Sequence, residues 1–183
     1  MASATLKTKR LNLVPFQDRH VGPRHLSWLN DKTLMRYSEQ RHCTHNLESC
    51  LTYARSFDAS PNYYWAIERQ GDDTRHIGTI NAYVSAENKT ADIGLLIGAE
   101  DARGQGLGLE VWMGVIAFLF DARDIRKITA GTMATNTAML NIMARSAMKP
   151  DGVKKSQFLD AEGGEIDSVY MALFKEKPTH GQD

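Results

Sequence analysis

The residues of this 183-residue chain best placed to do chemistry are Arg103-Gly104-Gln105-Gly106-Leu107-Gly108. Three glycines at alternate positions follow an apolar run, Ile93 to Gly98. They precede apolar residues spaced by four, Leu107, Val111, Val115 and Leu119. The run reads as a buried strand and the spacing as a helix. Trp112, Ile116 and Phe120 make that helix apolar on most sides, so it is expected to be buried. The first N–H groups of a helix have no internal partner, and the helix dipole places partial positive charge beside them. Glycines let an anion approach the backbone, and Arg103 adds a full charge. A phosphate or pyrophosphate is the expected ligand.

Two familiar phosphate loops do not match. A P-loop ends in Gly-Lys-Ser/Thr, whereas Gly108-Leu109-Glu110 stands here. The dinucleotide fingerprint needs a third glycine where Leu109 lies, and an acid at the end of the next strand, where Ala130-Gly131-Thr132 has none.

A third pattern does. Arg103-x-x-Gly106-x-Gly108, after a strand and opening a helix, resembles the acetyl-CoA pyrophosphate loop of the GNAT N-acetyltransferases. Downstream, Asn136-Thr137-Ala138 opens a helix, and Met139, Arg145, Ala147 and Met148 fall at the Ser, Lys, Gly and Phe positions of the family's next segment. Upstream, Leu11 to Pro15 and Trp28-Leu29-Asn30-Asp31 resemble the branch that acetylates ribosomal-protein N-termini and amino sugars. The matches span most of residues 5 to 175.

The resemblance implies an enzyme that moves an acetyl group from acetyl-CoA to a primary amine by direct attack in a ternary complex, with no metal. It implies cofactor contacts from Arg103, Gly104, Gln105, Gly106, Leu107 and Gly108, from the backbone of Leu95, Leu96 and Ile97, and from Asn136. Asn136 is equally an ordinary helix N-cap. An attacking amine must be neutral, so a base is useful. Asp92 lies near where several members keep a Glu base; otherwise it is a solvated strand-start residue. The family's proton donors are replaced by Met139 and Met143, neither of which can donate, so no general acid is assigned. Tyr37, Glu39, Tyr64 and Tyr83 fall where the family forms its acceptor site, although core tyrosines explain three of them equally well. The acceptor is an amino sugar or other small amine. Two alternatives stay open: an α-amino group of a protein, and a non-catalytic acyl-CoA sensor. His42, Cys43, His45 and Cys50 match no standard zinc spacing and read as a solvated loop and helix start.

The elements that must position these residues can be read in order. Leu6 to Pro15 alternates as a strand, Asp18 to Leu29 reads as a helix, and Asn46 to about Phe57 as a second. Tyr63 to Glu68 and Ile77 to Ser85 form a hairpin across a turn at Gly71-Asp72-Asp73. After the glycine loop and its helix come a strand at Lys127 to Ala130, a helix from Asn136, a stop at Lys149 to Gly152, and strands at Val153 to Leu159 and Ile166 to Phe174. The order is β-α-α-β-β-β-α-β-α-β-β, an α/β (α+β) class with one mixed sheet. The resemblance adds a splayed strand pair that holds the cofactor. Residues 1–175 form one domain and 176–183 a disordered tail.

Composition narrows the class. Lys plus Arg equals Asp plus Glu, 22 each, which argues against a nucleic-acid binder. The longest apolar run, Val111 to Phe120, is far short of the ~20 residues of a membrane span. Two cysteines and no leader pattern suggest a cytoplasmic protein, monomeric or homodimeric.

Overall fold

The computed structural model describes residues 4–71 and 75–176. The expected tail, from 177 on, and most of the Gly71-Asp72-Asp73 turn lie outside the described residues.

The sheet comes first in the chain and nearly last. Its strands are β1 (Leu6–Lys7), β2 (Leu11–Pro15), β3 (Tyr63–Arg69), β4 (His76–Ser85), β5 (Thr90–Ile97), β6 (Lys127–Met133), β7 (Lys149–Leu159) and β8 (Glu165–Phe174). They stand in the order β1-β2-β3-β4-β5-β6-β8-β7. Every neighbouring pair is antiparallel except β5 with β6. The helices are α1 (Pro23–Asn30), α2 (Leu47–Arg55), α3 (Leu107–Asp121) and α4 (Thr137–Arg145). This is the expected order, with the first strand interrupted between β1 and β2.

Cross-strand register assigns the helices to faces. Tyr64 pairs with Asn81 and Asn81 with Gly94, so these three share one face. Tyr53 and Phe57 lay their rings on Tyr64, at 5.3 and 5.0 Å between centroids, which puts α2 there. Trp65, Ile80 and Leu95 share the opposite face. Phe118 of α3 meets Trp65 at 5.7 Å, and a side chain at Gly108 would press on Leu95 and on Ile142 of α4. Helices α3 and α4 therefore cover the second face. Helix α3 is buried at Leu107, Val111, Trp112, Val115, Ile116 and Leu119, as its all-round apolar surface requires. The Trp112 indole N–H donates to Ser146 Oγ at 3.1 Å, joining α3 to the end of α4.

Three local expectations need correcting. Asp18 to Leu29 is not one helix. A 3-10 turn, Asp18–His20, stops at Val21, and α1 restarts with Gly22 as N-cap and Pro23 at its first position. Pro there loses no hydrogen bond, since that N–H is an orphan in any helix. Helix α2 ends at Arg55 rather than Phe57. Lys149 to Gly152 is not a stop but the start of β7, where a register shift between Pro150 and Gly152 absorbs the proline. Strand β7 is at the sheet edge, where a strand tolerates Pro.

Candidate active site

The glycine loop is built from the residues expected of it. Gly104 and Gly106 have φ of 72° and 73°, in the left-handed region that only Gly adopts freely. An added side-chain carbon at Gly104 would meet nothing within 4 Å, so the loop's outer surface is open to a ligand. Gly106 is the N-cap of α3 and offers no side chain to the first turn. The first bond into the helix is from the Glu110 N–H to the Gly106 carbonyl. The N–H groups of Leu107, Gly108 and Leu109 are thereby left for an anion.

Arg103 holds the loop against the sheet. Its Nε donates to the Ile97 carbonyl at 3.2 Å and its Nη2 to the Gly98 carbonyl at 2.6 Å. From the far side Arg10 donates to the Gln105 carbonyl at 3.1 Å and pairs with Glu110 at 2.7 Å. Desolvation would raise the Glu110 carboxyl, but hydrogen bonds from Thr8 and Arg10 and the Arg10 charge outweigh it and hold the group below its ordinary value. Arg10 gave no signal in the sequence because its partner lies 100 residues away.

Beside the loop the sheet opens. Strands β5 and β6 pair only at Thr90 with Lys127, Ala91 with Ile128 and Asp92 with Thr129. Beyond Asp92, β5 continues to Ile97 with β4 on one side and, among the described residues, no strand on the other. This is the splayed pair the resemblance implies. A cavity of about 1000 Å³ runs through the gap. Its wall includes Leu95, Leu96 and Ile97, then Arg103, Gly104, Gly106, Leu107 and Gly108, and Asn136 and Met139 on α4. Tyr37, Tyr53, Tyr64, Asn81 and Tyr83 line it on the α2 face. Gln105 and Glu39 are not on the wall. Glu39 is exposed and pairs with Arg41 at 3.3 Å. Asn136 caps α4 by accepting from the Met139 N–H at 3.2 Å, while its Nδ2 donates to Thr132 at 2.9 Å.

Asp92 sits at the last paired rung, directly opposite Tyr83. It lines a depression next to the main cavity, with Tyr83 on both walls. Surrounding strands desolvate its carboxyl and raise it above its ordinary value although the residue stays open to solvent; a 2.7 Å hydrogen bond from the Thr129 hydroxyl opposes the shift. The Tyr53 and Tyr83 hydroxyls are 2.7 Å apart. Desolvation pushes Tyr53 and Tyr64 up, Tyr53 further because of Tyr83, so both stay neutral phenols. His25, His45, Tyr53 and Asn81 also line the cavity and were not foreseen. His25, Tyr53 and Asn81 lie within α1, α2 and β4, and His45 lies in the loop before α2, where the sequence drew notice only for its metal-ligand types.

A free N-terminal turn, an open glycine cradle and an unpaired strand edge in one cavity fit a long thiol carrier with a pyrophosphate end. Residues 10–149 match the family model described as the acetyltransferase (GNAT) domain. The chain belongs to the GNAT acetyltransferase family. Solved structures share the fold at low identity. RimL, a ribosomal-protein α-N-acetyltransferase in complex with coenzyme A, superposes with a TM-score of 0.82 at 17% identity, covering 93% of this chain and 98% of RimL. An acetyltransferase from Salmonella typhimurium that modifies the N-terminal serine of a ribosomal protein gives 0.79 at 18%, covering 94% and 100%. MccE, a microcin self-immunity acetyltransferase in complex with acetyl-CoA and AMP, gives 0.74 at 14%, covering 91% and 93%. This GNAT acetyltransferase is thus an N-acetyltransferase.

Proposed function

We propose that this enzyme acetylates the primary amine of a small hydroxylated acceptor, of which an amino sugar is the model, in a ternary complex without a covalent enzyme intermediate. The observation that carries the reading is the single cavity that joins the glycine loop on one side of the sheet gap to the tyrosine-lined wall on the other. Acetyl-CoA supplies the activated acetyl group. The N–H groups at the start of α3 and Arg103 would hold its pyrophosphate, and the free edge of β5 its amide arm. From Gly98 back to Asp92 is six residues, about 20 Å of strand, long enough for an extended thiol arm to end beside Asp92.

Asp92 is the proposed base. It takes a proton from the amine, through a water where the two are not in contact. Tyr53 and Tyr83 hold each other's hydroxyls and orient the acceptor on the same face. The proton for the departing thiolate comes from water, because Met139 and the fully buried Met143 have none to give. Unpaired backbone N–H groups polarise the reacting carbonyl, and proximity supplies the rest.

Both cysteines are free, which suits a reducing, cytoplasmic setting. The likeness to RimL supports a second reading, in which the acceptor is a protein α-amino group. Thiol release from acetyl-CoA with a panel of amino sugars, alkylamines and a serine-led peptide tests both. Turnover with the peptide alone would select the second, and no turnover with any amine would overturn both.

A further inference from the structure

Helix α1 carries His25 into the cavity wall, 2% exposed, with neither Nδ1 nor Nε2 hydrogen-bonded. His45 lines the same wall, and its buried Nε2 is also without a partner. Leaving a buried polar atom unpaired costs about 1–3 kcal/mol, so a leucine would serve better if the site had nothing to bind. The adjacent histidines are different. His20 Nδ1 accepts from the Gln17 N–H at 2.8 Å and its Nε2 meets Glu68 at 3.1 Å. His76 Nε2 donates to the Gly78 carbonyl at 2.7 Å.

The two unpaired rings are also held in place. Phe16 and Trp28 flank His25 at 5.2 and 6.2 Å. Asn30, at the end of the same helix, clasps the His45 backbone from both sides: it accepts the His45 N–H at 2.8 Å and donates to the His45 carbonyl at 2.9 Å. One short helix thus carries the first imidazole and anchors the backbone of the second residue. Desolvation, with His20 and His45 nearby, keeps His25 neutral by lowering it to about 4.

We infer that His25 and His45 form a subsite for a neutral hydroxyl of the acceptor, set apart from the amine that is acetylated. A neutral imidazole offers one N–H donor and one bare nitrogen acceptor, and a hydroxyl supplies the complement of each. A charged group would be desolvated there without an opposite charge from either ring. The inference rests on the acceptor reading above and makes the subsite the part of the cavity that tells a polyol amine from an alkylamine.

The test uses the full chain with coenzyme A and four amines: glucosamine, galactosamine, serinol and cyclohexylamine. Imidazole ¹⁵N resonances report the subsite whether or not turnover occurs, with the His25 signals identified by their loss in His25→Gln. At least one hydroxylated amine should shift them and cyclohexylamine should not. In thiol-release kinetics, His25→Phe should raise KM for that hydroxylated amine roughly tenfold, the value of one neutral hydrogen bond, and leave cyclohexylamine unchanged. His25→Gln, which keeps a donor and an acceptor, should recover part of the loss. Folding of each variant is checked by its stabilisation with acetyl-CoA, whose loop lies elsewhere. If no hydroxylated amine moves the His25 signals, or cyclohexylamine moves them equally, the subsite is refuted. Absence of thiol release with intact, selective shifts would instead refute acetyl transfer to these amines and keep the subsite.

Discussion

Acid should weaken this fold well before its carboxylates are protonated. His25 is lowered to about 4 by desolvation and by its histidine neighbours. A folded-state imidazole with a lowered pKa binds fewer protons than its unfolded counterpart. Its stability contribution is complete above the unfolded value near 6.5 and is lost as the pH falls toward the folded one. At about pH 5 the loss from His25 alone is about 2 kcal/mol, a sizeable part of the ~5–15 kcal/mol of a typical domain. His76, lowered by desolvation and by His20 to about 3, and His20, lowered chiefly by its own burial, act in the same window with the same sign. Glu110, Asp124 and Asp167 are held low, so their contributions go only below their unfolded values near 4. Urea unfolding followed by the fluorescence of Trp28, Trp65 and Trp112, all buried, should show the midpoint falling between about pH 7.5 and 5 at constant slope. His25→Leu should flatten that profile by about 2 kcal/mol. A parental midpoint unchanged across the window, or a His25→Leu profile as steep as the parent's, would refute the reasoning.

The remaining predictions concern the donor and the base. Acetyl-CoA at about 100 times its dissociation constant should stabilise the fold by about 2.7 kcal/mol, and NAD should not; equal thermal shifts with both would contradict the loop assignment. Gly106→Asp should fold, because Asp tolerates the left-handed region and nothing lies closer than 4.0 Å, yet calorimetry should find acetyl-CoA binding abolished by charge at the pyrophosphate site. Asp92→Asn should lower kcat about 100-fold, the lower end of general-base effects because a water intervenes, with cofactor affinity unchanged. That deficit should shrink toward about pH 9, where an α-amino-like amine with a pKa near 8 is about 90% neutral; parental kcat at every pH would assign proton removal to bulk water.

The order of elements was legible because each carries its own period. The alternation of β2 and the four-residue spacing of α3 need no partner to be recognised. Misreadings arose where a local signal had two meanings. Gly22-Pro23 lies inside an apolar pattern but marks a helix start, and Pro150 reads as a stop yet sits on an edge strand. The geometry of the glycine loop was legible for a related reason: strand, loop and helix start are consecutive in the chain. The acceptor wall was legible only in part. His25, His45, Tyr53 and Asn81 come from four separate segments, and their chemistry depends on which neighbours fail to pair with them. No spacing rule records a missing hydrogen bond.

The short seam between β5 and β6 also makes the enzyme a lever. Three rungs weld a five-stranded plate to a three-stranded one. The closed end is riveted further: the Arg126 N–H donates to the Lys89 carbonyl at 2.8 Å, its side chain reaches the Asn88 carbonyl at 2.9 Å, and Lys89 pairs with Asp124 at 2.7 Å. From Asp92 to Ile97 the free arm is about 17 Å long, so a tilt of ~3° at the weld moves the mouth by ~0.9 Å. Sub-ångström slack among Lys89, Asp124 and Arg126 is therefore magnified at the aperture where the two strands part. Residues that touch no substrate thus set the width of the slot.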